Sequence, residues 1–172
     1  MTYSRNPIVP FLLVASLFLI PIQNAWSLDR SGPDVLLEVT GKISVTNDGP
    51  AKAVFDRTLL DQFPRVTIQT HSPWTDGLVT FEGFLVRDLI NAVGASGETL
   101  KATAINDYAI DIPLEDFRKY DAIIADTKNG ARMTVRDKGP LWIIYPWDSV
   151  PELKNEIYHS RSIWQLNRIV IE

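Results

Sequence analysis

The stretch "FEGFLVRDLINAVGA", residues 81–95, decides the fold class. Its apolar residues Phe84, Leu85, Leu89, Ile90 and Val93 recur at the three-and-four spacing of one helical face, and Gly94 supplies a C-terminal stop. The chain on either side has a different period. "RVTIQT" (65–70) is a run of β-branched residues, and "TLKATAI" (99–105), "YAIDI" (108–112), "DAIIADT" (121–127), "ARMTV" (131–135) and "LWIIYP" (141–146) are short strand candidates. Between the third and fourth of these five, "KNG" predicts a hairpin turn, because Asn129 and Gly130 both tolerate positive φ.

The ends of the chain extend this pattern. In "SGPDVLLEVTGKISVTNDGPA" (31–51), Val35, Leu37 and Val39, then Ile43 and Val45, alternate as two strands around "TGK" and "NDGP" turns. "AVFDRTLLDQF" (53–63) has Val54, Phe55, Leu59, Leu60 and Phe63 at near-helical spacing, ended by Pro64. "PLEDF" (113–117) offers one helical turn begun by proline. "SIWQLNRIVIE" (162–172) closes the chain as a strand, with Ile163, Gln165 and Asn167 alternating against Trp164, Leu166 and Arg168. Many short strands and two or three helices, without repeats or linkers, predict one compact α+β domain over residues 28–172.

Residues 1–27 carry a different signal. Arg5 precedes the apolar run "IVPFLLVASLFLIPI" (8–22), and Ala25 and Ser27 stand at a spacing suited to signal peptidase. This is the layout of a cleaved secretory signal, and the run falls short of the roughly 20 apolar residues of a membrane span. The expectation is therefore export, with an uncleaved anchor as the alternative, and the resemblance given below makes the expected location the periplasm. Cysteine is absent, which excludes lipidation at the cleavage site, disulfides, thiolate metal ligands and a thiol nucleophile. Removal of Arg5, with no acid before Asp29, takes the net charge from −4 to −5. A mildly acidic domain with no basic run gives no footprint for nucleic acid.

Catalytic patterns are sparse. The two histidines, His71 and His159, each adjoin a serine, Ser72 and Ser160, but no G-x-S-x-G elbow is present. Adjacent residues on an extended strand point to opposite faces, so His71 and Ser72 make a poor pair. Asp121/Asp126 and Glu115/Asp116 read as turn and cap acids, and "GASGE" (94–98) lacks the lysine of a phosphate loop. "RDKGPLWIIYPWD" (136–148) is richer. It reads either as a core strand with two paired cations, or as a site for a flat ligand with Trp142 to stack and Arg136 and Lys138 to bind carbonyl or anionic groups.

In order, the segments "TIQT", "FEGFLVRDLINAVGA", "NDYAIDIP", "DAIIADTKNGARM" and "DKGPLWIIYP" resemble the molybdopterin-binding domain of the sulfite oxidase fold, over Val35 to Glu172. Two departures matter. Thr70 stands where that family has the cysteine whose thiolate binds molybdenum, and a neutral hydroxyl is a poor substitute. Trp142 replaces an arginine of the P-L-R motif, and Lys138 a histidine often found before the glycine. The chain is similar to a short, secreted, cysteine-free branch regarded as pterin-binding, some members of which report to the periplasmic region of an inner-membrane cyclic-di-GMP enzyme. The resemblance implies a non-catalytic, metal-free pterin site. Trp142 or Trp74 would stack on the ring, Arg136 and Lys138 would hold its oxygens, and Asp107 would accept from its amino group. Thr70, His71, Asn106 and Tyr108 would complete the rim. The alternative the resemblance implies is a molybdenum-cofactor oxidoreductase or a subunit of one.

Overall fold

The structure, a computed structural model, describes residues 28, 29 and 31–172. The expected signal segment, residues 1–27, lies outside the described residues. Two five-stranded sheets organise the chain. The first has the order β2 (Lys52–Phe55), β1 (Leu37–Gly41), β10 (Leu166–Ile171), β5 (Thr99–Ala104) and β6 (Ala109–Pro113). It is antiparallel except where β1 and β10 run parallel, pairing Glu38 with Arg168. The second has the order β3 (Val66–Thr70), β4 (Val79–Leu85), β7 (Ile123–Lys128) and β8 (Ala131–Arg132), with β9 (Trp142–Ile144) also on β7. Four short helices are described: α1 (Arg57–Leu60), α2 (Val86–Ala92), α3 (Leu114–Lys119) and α4 (Glu156–Arg161). Among the described residues no helix is long and apolar enough to cross a membrane.

The α+β class holds, and several boundaries move for identifiable reasons. The helix expected from Phe84 begins only at Val86, because β4 runs through Leu85. Gly83 explains this: a Cβ there would lie 2.0 Å from the Ile124 carbonyl oxygen, so the strand backbone presses directly on β7. Gly94 ends α2 in the left-handed region (φ 59°), as expected. The near-helical "AVFDRTLLDQF" divides in two. Lys52–Phe55 pairs with β1, and only one helical turn follows, capped by the Asp56 carboxylate accepting from Leu59 N–H at 2.9 Å. Ile43–Val45 is not a strand. The Asn129–Gly130 hairpin forms as expected, with φ of 50° and 78°. Helix α4, which the sequence pattern does not single out, is capped by Asn155 accepting from Ile157 N–H and Tyr158 N–H.

One contiguous core serves both sheets, with Leu37, Phe55, Leu100 and Ile169 from the first and Phe81, Phe84, Ile124 and Ile143 from the second. The sheets are joined where the chain enters β10. Trp142 bridges Trp164, Ile143 N–H donates to the Ile163 carbonyl at 3.0 Å, and Leu166 N–H donates to the Leu141 carbonyl at 3.0 Å. The alternation expected across Ile163–Arg168 is broken at this seam, where Gln165 has φ 53° and the register shifts between Leu166 and Arg168.

Candidate functional site

Four of the chain's five tryptophans meet at that seam, and the fifth, Trp26, lies outside the described residues. Trp74 stands at the centre, on the loop after β3. Its ring lies 5.4 Å from Trp164, 6.1 Å from Trp142 and Trp147, and 5.9 Å from His159, all at steep angles. Edge-to-face contacts of this kind hold each ring by its neighbours and leave a face of the outer ones unstacked. The loop is fixed by its own hydroxyls: Ser72 Oγ lies 2.7 Å from Thr75 Oγ1 and accepts from Trp74 N–H at 3.3 Å.

Against these rings opens a cavity of about 260 Å³, lined by Trp74, Ala104, Asn106, Tyr108, His159, Ser160, Ser162, Ile163 and Trp164. The β5–β6 hairpin supplies Asn106 and Tyr108, helix α4 supplies His159 and Ser160, and the α4–β10 connection supplies Ser162, Ile163 and Trp164. The volume lies just under the range that holds a drug-sized ligand, and suits one small flat ring system. Aromatic faces with a few amide and hydroxyl groups at the edge can stack such a ring and bond its periphery.

A second cleft, of about 210 Å³, shares His159 and is lined also by His71, Ser72, Pro73, Trp147, Asp148 and Lys154. The Asp148 carboxylate accepts from His71 N–H at 2.9 Å and lies 2.7 Å from His71 Nδ1 and 2.8 Å from Lys154 Nζ. The Lys154 hydrogen bond first, then those from the His71 ring and backbone, hold the Asp148 carboxyl well below the usual carboxylate range. With neutral His71 this pairing places the proton on Nδ1 and leaves Nε2 an acceptor. Neither neighbouring serine engages a histidine: Ser72 Oγ bonds Thr75, and Ser160 Oγ donates to the Ile157 carbonyl at 2.7 Å.

The expected site residues separate into three groups. Trp74, Asn106 and Tyr108 line the main cavity, although Asn106 Oδ1 also accepts from Tyr108 N–H at 3.2 Å to shape the turn. His71 faces the second cleft, and Thr70 lies fully buried beneath it. Thr70 Oγ1 donates to the His71 carbonyl and accepts from Asp148 N–H, both at 3.2 Å, so its hydroxyl joins β3 to the chain after β9. The remaining four are not on the cavity wall. Trp142 offers no face to a ligand: it is fully buried, and its indole N–H donates to the Ser162 carbonyl at 3.0 Å. Its place is under the site, with Trp74, Trp164 and Phe81 against it. Lys138 lies with its ammonium 4.2 Å from the centre of the Trp164 ring, a cation–π contact beside the cavity. Asp107, at φ 65°, pairs with Arg168. Arg136 is exposed and lines neither cleft.

Trp164, His159, Ser160 and Ser162 are lining residues that the sequence pattern did not mark as a site. Trp164 sits in a segment whose alternation suggests strand, and only the break at Gln165 turns it toward Trp74. The usable signal was compositional, namely tryptophans flanking turns on separate segments. Among the described residues no group of three or more His, Asp or Glu could hold a metal ion. Compared with known proteins, the chain matches no family model and no curated sequence.

Proposed function

We propose that this chain is a periplasmic, non-catalytic pterin-binding protein of the sulfite oxidase type of fold. The observation that carries the reading is the 260 Å³ cavity walled by Trp74, Tyr108 and Trp164, with Asn106, Ser160 and Ser162 at its edge. Indole and phenol faces attract a planar heteroaromatic ring, and the amide and hydroxyls match the donors and acceptors on a pterin's periphery. The stacking role expected of Trp142 passes to Trp164 and Trp74, with Trp142 supporting both from the core.

A molybdenum-bound cofactor does not fit the residues present. Thr70, at the position of the thiolate ligand in the resemblance, has its hydroxyl engaged by His71 and Asp148. It has neither the charge nor the freedom to coordinate a metal. In this reading the protein regulates by reporting ligand occupancy to the periplasmic domain of an inner-membrane cyclic-di-GMP signalling enzyme. Mass spectrometry of small molecules released from protein purified natively from periplasm tests the proposal, together with elemental analysis. The expected result is a stoichiometric pterin without molybdenum. Stoichiometric molybdenum, or a bound heterocycle of another class, overturns it.

A further inference from the structure

The sheet edges are treated unequally, and that difference points to a second binding site. A strand edge left open is a template for another strand, so proteins cap, cover or charge it. The outer edge of β2 is capped: Asn47 donates to the Val54 carbonyl at 2.9 Å and accepts from Val54 N–H at 2.7 Å. The edge of β9 is covered by the 162–164 segment, through Ile143 N–H to the Ile163 carbonyl and Ser162 Oγ to the Ile143 carbonyl. Strand β6 carries Asp111 and ends in Pro113. Strand β3 has none of these devices. "VTIQT" holds no charge and no proline, and its backbone makes no backbone hydrogen bond among the described residues other than to β4.

Beside β3 runs a groove of about 360 Å³ lined by the consecutive residues Val66, Thr67, Ile68 and Gln69. Successive strand residues face opposite sides of a sheet, so a groove touching four in a row follows the hydrogen-bonding edge and not one face. Its far wall is Tyr120 and its neighbours, with Pro146, Ser149 and Val150. The charges on that wall are already matched. Lys119 Nζ lies 3.0 Å from Glu152, Tyr120 Oη donates to Glu152 at 2.9 Å, and Asp121 lies 2.6 Å from Arg87.

We infer that this groove is a strand-addition site, which takes an extended, uncharged peptide segment of a partner protein as an extra strand on β3. The free backbone groups of the edge select an extended backbone, and the matched wall selects against charge. The groove's bounded far wall favours a single segment over the edge of a second folded copy. About five residues would be engaged, the length of β3 itself. The site is separate from the aromatic cavity and does not depend on what that cavity binds.

The test uses two fluorescent, terminally blocked peptides of alternating valine and threonine, one in each phase, measured by anisotropy against the full chain. At least one should bind saturably. N-methylation of alternate backbone amides on one edge should weaken it at least tenfold, with methylation of the other edge tolerated. Ser149→Trp, which fills the groove from an exposed position, should weaken it by a similar factor. Failure of both peptides to saturate at millimolar concentration overturns the inference. So does binding indifferent to N-methylation or to Ser149→Trp. Self-association that Ser149→Trp abolishes also overturns it, since the occupant would then be a second copy.

Discussion

The aromatic seam and the cluster around Asp126 are both built from side chains brought together from distant segments, yet they end in opposite states. Asp126, on β7, is fully buried and fully partnered. Arg65 grips it with two nitrogens at 2.7 and 2.9 Å, Arg57 approaches to 3.0 Å, Thr127 donates at 2.8 Å, and Arg132 pairs with it as well. Every acceptor site on that carboxylate is in use, so nothing remains for a ligand. At the seam, by contrast, Trp74 and Trp164 are held by ring edges, and their remaining surface borders a cavity. A saturated cluster holds the fold together, whereas one whose rings border a cavity has room for a ligand.

The strongest way to break this contrast is at the charges and at the supporting ring. Asp126→Ala would leave three arginines around a vacated buried site and cost about 3–5 kcal/mol of stability in denaturant unfolding. The ligand affinity of the folded fraction should not change. Trp142→Ala should cost a similar amount, about 3–5 kcal/mol, because it empties a fully buried indole volume. A cost under about 1 kcal/mol for either would mean that the region is not the structural element described.

Acid sharpens the same point. Burial pushes the Asp126 carboxyl up, but hydrogen bonds from Arg65 and Thr127 and the charges of Arg65 and Arg132 outweigh it, so the carboxyl lies below its usual range. A carboxylate with a lowered folded pKa contributes stability that is full above its unfolded value, near 3.9, and lost as pH falls through the folded value. Urea midpoints measured from neutral pH down into that acid range should fall, and Asp126→Asn should remove part of the fall.

Smaller effects belong to the cavity and its neighbour. Trp74→Ala should weaken a pterin by roughly 10–100-fold, the 1–3 kcal/mol typical of a heteroaromatic base stacked on an aromatic side chain. His71→Ala should cost no more than about 1 kcal/mol in unfolding measurements, since the imidazole that pairs with Asp148 is itself mostly exposed. A large loss of pterin affinity in His71→Ala, with Trp74→Ala unaffected, would move the site to the second cleft.

Sequence legibility followed the range of the interactions concerned. Features set by near neighbours were readable, such as the Asn129–Gly130 turn, the stop at Gly94 and most strands of five or six residues. The extension of β4 through Leu85 was not, because it depends on Gly83 pressing against Ile124, a residue about 40 positions away in the chain. The site was legible in its loops, where Trp74, Asn106 and Tyr108 flank turns. It was illegible in its strand: Trp142 and Trp164 carry the same local signal, and only the join between the two sheets buries one and presents the other. For the same reason Thr70 could be singled out by position, whereas its two hydrogen-bond partners could not.

The most direct measurement of the central claim is a tryptophan-fluorescence titration of the purified chain with a pterin, run in parallel on Ser160→Phe. That substitution places a ring in the cavity from an exposed position and leaves the tryptophans in place. Saturable quenching at micromolar ligand is expected in the unaltered chain, with at least a tenfold weaker response in the variant. No quenching up to millimolar ligand, or the same curve for both proteins, would contradict that claim.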